Sequence, residues 1–163
     1  MGIQFNADEI FEIAERIEQN GARFYRKAAD NTSDEAAKKM LLELAAMEDD
    51  HEKTFSGMRS GLTAKEKEAA TFDPDDEVVY YLRAFADGHI FDTKADPSEK
   101  LTGSESVVEV LKTAIGLEKD SIVFYLGIKD IVPASVGQDR IDAIIKEERS
   151  HIGTLARELS ARK

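Results

Sequence analysis

Four long stretches of this chain place apolar residues at alternating steps of three and four, the spacing that lines one face of an α-helix. The first opens at Asn6, where Glu9 three residues on offers a capping box, and carries Ile10, Ala14, Ile17, Gly21, Phe24 and Ala28 before ending near Asp30. Thr32 with Glu35 suggests a second box, followed by a stripe of Ala37, Leu41, Leu44, Glu48, His51, Phe55 and Met58. After Ser60-Gly61 the pattern breaks, with Asp73-Pro74-Asp75-Asp76 and Asp96-Pro97 as turn signals. Between these turns a short amphipathic stretch, about 77–85, would bury Tyr80, Tyr81, Leu82 and Phe85. A third helix is expected from near Ser104 through Val107, Leu111, Ala114, Glu118, Ile122 and Tyr125 toward Val132-Pro133. A fourth follows Pro133 to Gly137 and carries Ile141, Ile144, Glu148, His151, Leu155 and Leu159. The short connections at Asn31-Thr32 and Pro133 to Gly137 allow only antiparallel neighbours. The pattern therefore predicts a single all-α domain, an antiparallel four-helix bundle made of a helix pair 7–58, a crossover 59–103 and a helix pair 104–160.

Two of these stripes contain an acid and a histidine in line with aliphatic residues, and buried charge is costly unless it is paired or bound to metal. The placement is also repeated. Glu18, Tyr25, Glu48 and His51 recur one hundred positions later as Glu118, Tyr125, Glu148 and His151, using two of the three histidines in the chain. A lone Glu-x-x-His arises easily by chance, but a shared register over both halves does not. Residues three apart on a helix differ by about 60° around the axis and about 4.5 Å along it, so each Glu-x-x-His forms a two-point clamp on one face. Four carboxylates and two imidazoles facing inward from four helices make the ligand set of a carboxylate-bridged dinuclear site. Such mixed oxygen and imidazole donors suit iron, manganese or zinc better than calcium or copper.

The doubled Glu-x6-Tyr and Glu-x-x-His arrangement resembles the ferritin-like di-iron carboxylate proteins, most closely the rubrerythrin branch, over roughly residues 7 to 160. That resemblance implies a ferritin-like bundle with Glu18, Glu48, His51, Glu118, Glu148 and His151 as metal ligands. It places Tyr25 and Tyr125 near the site. It also implies two metal ions as cofactor, iron foremost with zinc or manganese as alternatives, and reduction of peroxide or dioxygen as the activity. Two departures stand out. Ser121 occupies the position where rubrerythrins usually carry an additional Glu, and the sequence has no cysteine for a rubredoxin-type iron centre. The reductant is accordingly expected to be an external donor such as a rubredoxin-type protein, and the assembly a homo-oligomer, a dimer. An iron-storage protein and a structural bundle held by zinc or another inert metal are the rival readings.

Composition leaves this picture intact. The chain has 163 residues, 42% hydrophobic and 34% charged, which is ordinary globular usage. A net charge of −11 argues against nucleic acid and anionic membrane surfaces, which attract clustered Lys and Arg. No apolar run approaches a membrane span and Met1 to Asn6 lacks signal-peptide character, so the cytoplasm is the expected location. Other candidates have simpler readings. Glu147 also lies four residues before His151 but falls outside the stripe, so it is read as no part of the site. His89 belongs to the crossover as a surface or structural residue. Glu12, Glu15, Glu43 and Glu52 are read as solvated faces supporting basic residues one turn away. Gly21 and Gly116 are expected to permit close packing near the site.

Overall fold

A computed structural model describes residues 6–68, 77–86, 96–132 and 134–162; the turn at 73–76, His89 and Pro133 lie outside them. The first long helix, α1 (Ala7–Asn31), begins at the capping box expected from sequence. The Glu9 amide donates to Asn6 Oδ1 at 2.9 Å, and the Asn6 amide donates to Glu9 Oε2 at 3.0 Å. The second helix, α2 (Glu35–Ser60), is capped by Asp34 rather than Thr32. Three non-helical residues separate the two helices, so Thr32 sits too early to cap and instead accepts the Asp34 amide, while Asp34 Oδ1 accepts from Ala37 at 2.9 Å.

The crossover contains more regular structure than its sequence suggests. A one-turn helix, α3 (Ala64–Glu68), follows Thr63, whose amide donates to Glu66 Oε2 at 2.8 Å. The next helix, α4 (Glu77–Ala86), buries Val79, Leu82 and Phe85, and Phe85 meets Phe124 edge-on at 5.2 Å between ring centres. Tyr80 is 67% exposed, contrary to expectation, because it lies on the opposite side from the 79, 82, 85 face. Tyr81 is half-buried and its hydroxyl donates to the Val123 carbonyl. A 3-10 turn, Pro97–Lys100, then packs on α1, where Arg23 reaches Asp96 at 2.9 Å.

The third long helix, α5 (Val107–Ile131), starts three residues later than the apolar pattern alone implied. Its true start is a capping box of Ser106 and Glu109, and Glu105 draws the preceding turn together by accepting from the Thr102 and Gly103 amides. The last helix, α6 (Gln138–Ala161), opens at Gly137 with φ of 115°, a left-handed conformation that favours glycine. A Cβ there would also come within 2.7 Å of Met58 Sδ.

Cross-helix pairs give the chain directions. On α1 and α2, Arg59 binds Asp8 and Glu12, both at 3.0 Å, and Glu15 at 3.2 Å, while Arg26 pairs with Asp49. These pairings run antiparallel. Glu15 is thus drawn across to α2 instead of lying on a solvated face, although Glu12 and Glu43 do support Arg16 and Lys39 one turn away. Asp34 at the start of α2 binds Arg162 at the end of α6 at 2.8 Å, so these two helices are also antiparallel. The crossover therefore travels from one end of the bundle to the other, as an up, down, down, up order requires.

The apolar interior falls into two parts. One gathers Ile10, Ile17, Phe55, Phe124, Ile128 and Ile141, and the other Phe24, Leu41, Leu44, Leu111, Ala114 and Leu155. Along every long helix the step from one part to the other crosses the acids and histidines of the repeated pattern. The result is a polar layer enclosed above and below by hydrocarbon.

Candidate metal centre

The polar layer draws Glu18 from α1, Glu48 and His51 from α2, Glu118 from α5, and Glu148 and His151 from α6. None is more than 4% exposed. The imidazole planes stack at 5.5 Å between centres and 17° between planes, and both rings turn Nδ1 inward. His51 Nδ1 lies 3.0 Å from Glu148 Oε1 and 3.5 Å from Glu18 Oε2. His151 Nδ1 lies 2.9 Å from Glu148 Oε2, 3.3 Å from Glu48 Oε1 and 3.5 Å from Glu118 Oε1.

Two overlapping sets of donor atoms result, each spanning no more than 4.8 Å. One comprises Glu18, Glu48, His51 and Glu148; the other comprises Glu48, Glu118, Glu148 and His151. Glu48 and Glu148 belong to both, which is the arrangement bridging carboxylates need. Among the described residues seven buried side-chain polar atoms lack a hydrogen-bond partner, and six are in this cluster: Glu18 Oε2, Glu48 Oε1, both Glu148 oxygens and the two histidine Nδ1 atoms. Native interiors leave few such groups, so six converging on one point call for a cation that the protein itself does not supply. Two imidazole nitrogens and four carboxylates fit a pair of divalent ions of the iron, manganese or zinc type.

Tyr25 and Tyr125 cross the layer. The Tyr25 hydroxyl donates to Glu118 and the Tyr125 hydroxyl to Glu18, so each half of the repeat steadies the unshared acid of the other. Burial first, then these carboxylates, push both tyrosines well above the usual phenol range, which keeps them as donors.

Burial and the neighbouring Glu48 raise Glu148 to about 8, and burial likewise raises Glu18 and Glu48. Glu118 is held down against burial by His151 and Glu148 and by the Tyr25 hydroxyl. Burial opposes charge on the histidines, yet close carboxylates win and raise His51 to about 11 and His151 to about 12. Without metal, protons on the rings thus balance the acids, and divalent ions would displace them.

Two sequence expectations change here, those for Glu147 and Gly116. Glu147 is not a bystander: its Oε2 lies 3.0 Å from His51 Nε2, on the far side of the ring from the donor cluster. It falls outside the helical stripe and its side chain is largely exposed, and the useful signal was chemical, since a histidine that offers one nitrogen to a metal needs an acceptor for the other. Gly116 has open space around it, whereas Gly21 is tight, a Cβ there lying 3.0 Å from Glu48 Oε2. Ser121 is buried and donates to the Leu117 carbonyl at 3.1 Å. It lines a small crevice with Gly21, Tyr25, Glu48, Glu118 and Pro97.

The family model for Rubrerythrin matches residues 3–83. No curated protein sequence matches the chain. Among solved structures, a Thermotoga maritima protein described as a ferritin-like diiron-carboxylate protein superimposes with a TM-score of 0.72 at 26% identity, covering 100% of both chains. With the doubled Glu-x-x-His pattern set in an all-α bundle, these matches identify the chain as a ferritin-like protein of the rubrerythrin type.

Proposed function

We propose that Glu18, Glu48, His51, Glu118, Glu148 and His151 bind two metal ions, iron in the functional protein, and that the protein is an oxidoreductase reducing peroxide or dioxygen. The observation that carries this reading is the convergence of six unsatisfied buried donor atoms from α1, α2 and α6. When bound, a redox-active pair of ions supplies the electrons for that reduction. The chain's part is to hold and insulate. Glu48 and Glu148 reach both positions, Glu18 with His51 and Glu118 with His151 serve one each, and the hydrocarbon on either side excludes bulk water. The crevice beside Gly21 and Ser121 suits only a small oxidant. Tyr25 and Tyr125 fix the unshared acids and retain hydroxyl protons next to the centre.

These 163 residues contain no cysteine and hence no thiolate-bound second redox centre, so turnover draws electrons from an external protein donor of the rubredoxin type. The test is stopped-flow absorbance of the anaerobically reduced, iron-loaded protein mixed with peroxide. Oxidation within seconds, with cycling only when a separate donor is supplied, is the expected result. No oxidation on that timescale would leave a structural or storage metal site as the better account.

A further inference from the structure

The internal repeat is nearly symmetric at the donor atoms and asymmetric immediately behind them. A histidine that offers Nδ1 to a metal carries its proton on Nε2, and an acceptor there fixes both tautomer and ring orientation. His51 has that acceptor in Glu147, whose Oε2 lies 3.0 Å from Nε2. The corresponding position in the first half, one hundred residues earlier, is Met47, which offers only a weakly accepting thioether and is 47% exposed. Among the described residues the carboxylates found around His151 all approach Nδ1, and none stands behind Nε2 as Glu147 does at His51. The second asymmetry lies on the same side: the crevice is lined by Glu118 and Glu48 with Gly21 and Ser121, and reaches neither Glu18 nor His51.

We infer that the two metal positions are unequal, with Glu147 acting as a positioning residue that makes the Glu18–His51 position the tighter one and leaves the Glu118–His151 position weaker and more exchangeable. The inference rests on the two-metal reading. Glu147 is 59% exposed and contributes nothing to the apolar interior, so its replacement leaves the fold standing. Its effect is confined to one histidine. A lost outer acceptor of this kind typically lowers metal affinity 10–100-fold.

The experiment is calorimetric titration of Co(II) into the metal-free full-length chain, as wild type, Glu147→Ala and Glu147→Gln. Wild type is expected to bind two ions in unequal steps. Glu147→Ala should weaken the tighter step by about 10–100-fold and leave the weaker one in place, so the steps merge. Glu147→Gln should recover part of the loss, because the amide oxygen still accepts from Nε2. Two ions bound with affinities indifferent to Glu147→Ala would overturn the inference and leave the two-metal reading standing. Equal weakening of both steps would assign Glu147 a general structural role and overturn it too, as would two equal steps in wild type. Uptake of fewer than two ions by wild type would remove the two-metal reading, and the inference with it.

Discussion

Tyr25 on α1 donates its hydroxyl hydrogen to the carboxylate of Glu118 on α5, although the two are 93 residues apart in the chain. The bond joins the halves of the repeat through the polar layer, and Tyr125 with Glu18 repeats it in the other direction. Replacing Tyr25 with Phe keeps the ring's packing against Phe24 and removes only the donor. Hydrogen bonds to charged acceptors contribute about 1.5–3 kcal/mol. Urea unfolding of metal-free Tyr25→Phe is expected to show a loss of that order. An unchanged midpoint would mean the hydroxyl adds nothing to joining the halves.

The titration of the layer fixes a pH dependence. For His51 and His151 the folded pKa lies above the ordinary 6.5, at about 11 and about 12, so their stabilisation is complete below 6.5 and is lost as pH rises toward those values. Glu148, raised from 4.5 to about 8, also binds its proton more tightly in the folded state, so stability falls across that interval as well. Glu118 is lowered and has the opposite sign, its contribution being lost only as pH falls below the ordinary carboxylate range. Metal-free protein is therefore expected to melt at a lower temperature at pH 9 than at pH 6. Metal binding should release protons and tighten as pH rises. Calorimetry in buffers of different ionisation enthalpy counts those protons, and a count of zero would contradict the protonated layer.

Gly21 and Gly116 make a matched pair for testing the packing. Both lie inside long helices, where Gly costs about 1 kcal/mol against Ala. Open space surrounds Gly116, so Gly116→Ala should stabilise by roughly 0.4–1 kcal/mol. At Gly21 the added Cβ would stand 3.0 Å from Glu48 Oε2, and an acid held between two helices has little room to yield. Gly21→Ala is expected to lose the propensity gain and to lower metal affinity by displacing Glu48. Thermal melts and metal titration of both variants distinguish the two; equal behaviour would show that Glu48 moves freely.

Much of this was legible in the sequence because helices repeat. The stripe Ala37, Leu41, Leu44, Glu48, His51, Phe55, Met58 is buried at every position, since a helix packed on one side leaves its partners a fixed face. What escaped was set by single contacts between distant elements. Tyr80 and Tyr81 are adjacent and chemically alike, yet only Tyr81 finds the Val123 carbonyl, and no local pattern distinguishes them. Thr32 offered a correct capping spacing, but Asp34 stood nearer the helix start. Glu147 lies outside the stripe, and its contact comes from His51 reaching it across the bundle.

Shared and unshared acids should fail differently. Glu148 lies in both donor sets and both of its oxygens are without hydrogen bonds, whereas Glu18 lies in one set only. If the sets are two metal positions, removing Glu148 strips a ligand from each, and removing Glu18 strips one ligand from one. Glu148→Ala is therefore expected to abolish tight binding of both ions, while Glu18→Ala should retain one ion per chain in the Glu118–His151 position. Elemental analysis after dialysis against equal, limiting metal reads the stoichiometry directly. In the metal-free proteins Glu148→Ala strands the His51 and His151 rings and Glu18→Ala takes the acceptor from Tyr125, so both are expected to be less stable than wild type. Retention of one ion by Glu148→Ala would show that the acid is not shared, and the overlap of the two sets would then be a matter of proximity rather than bridging.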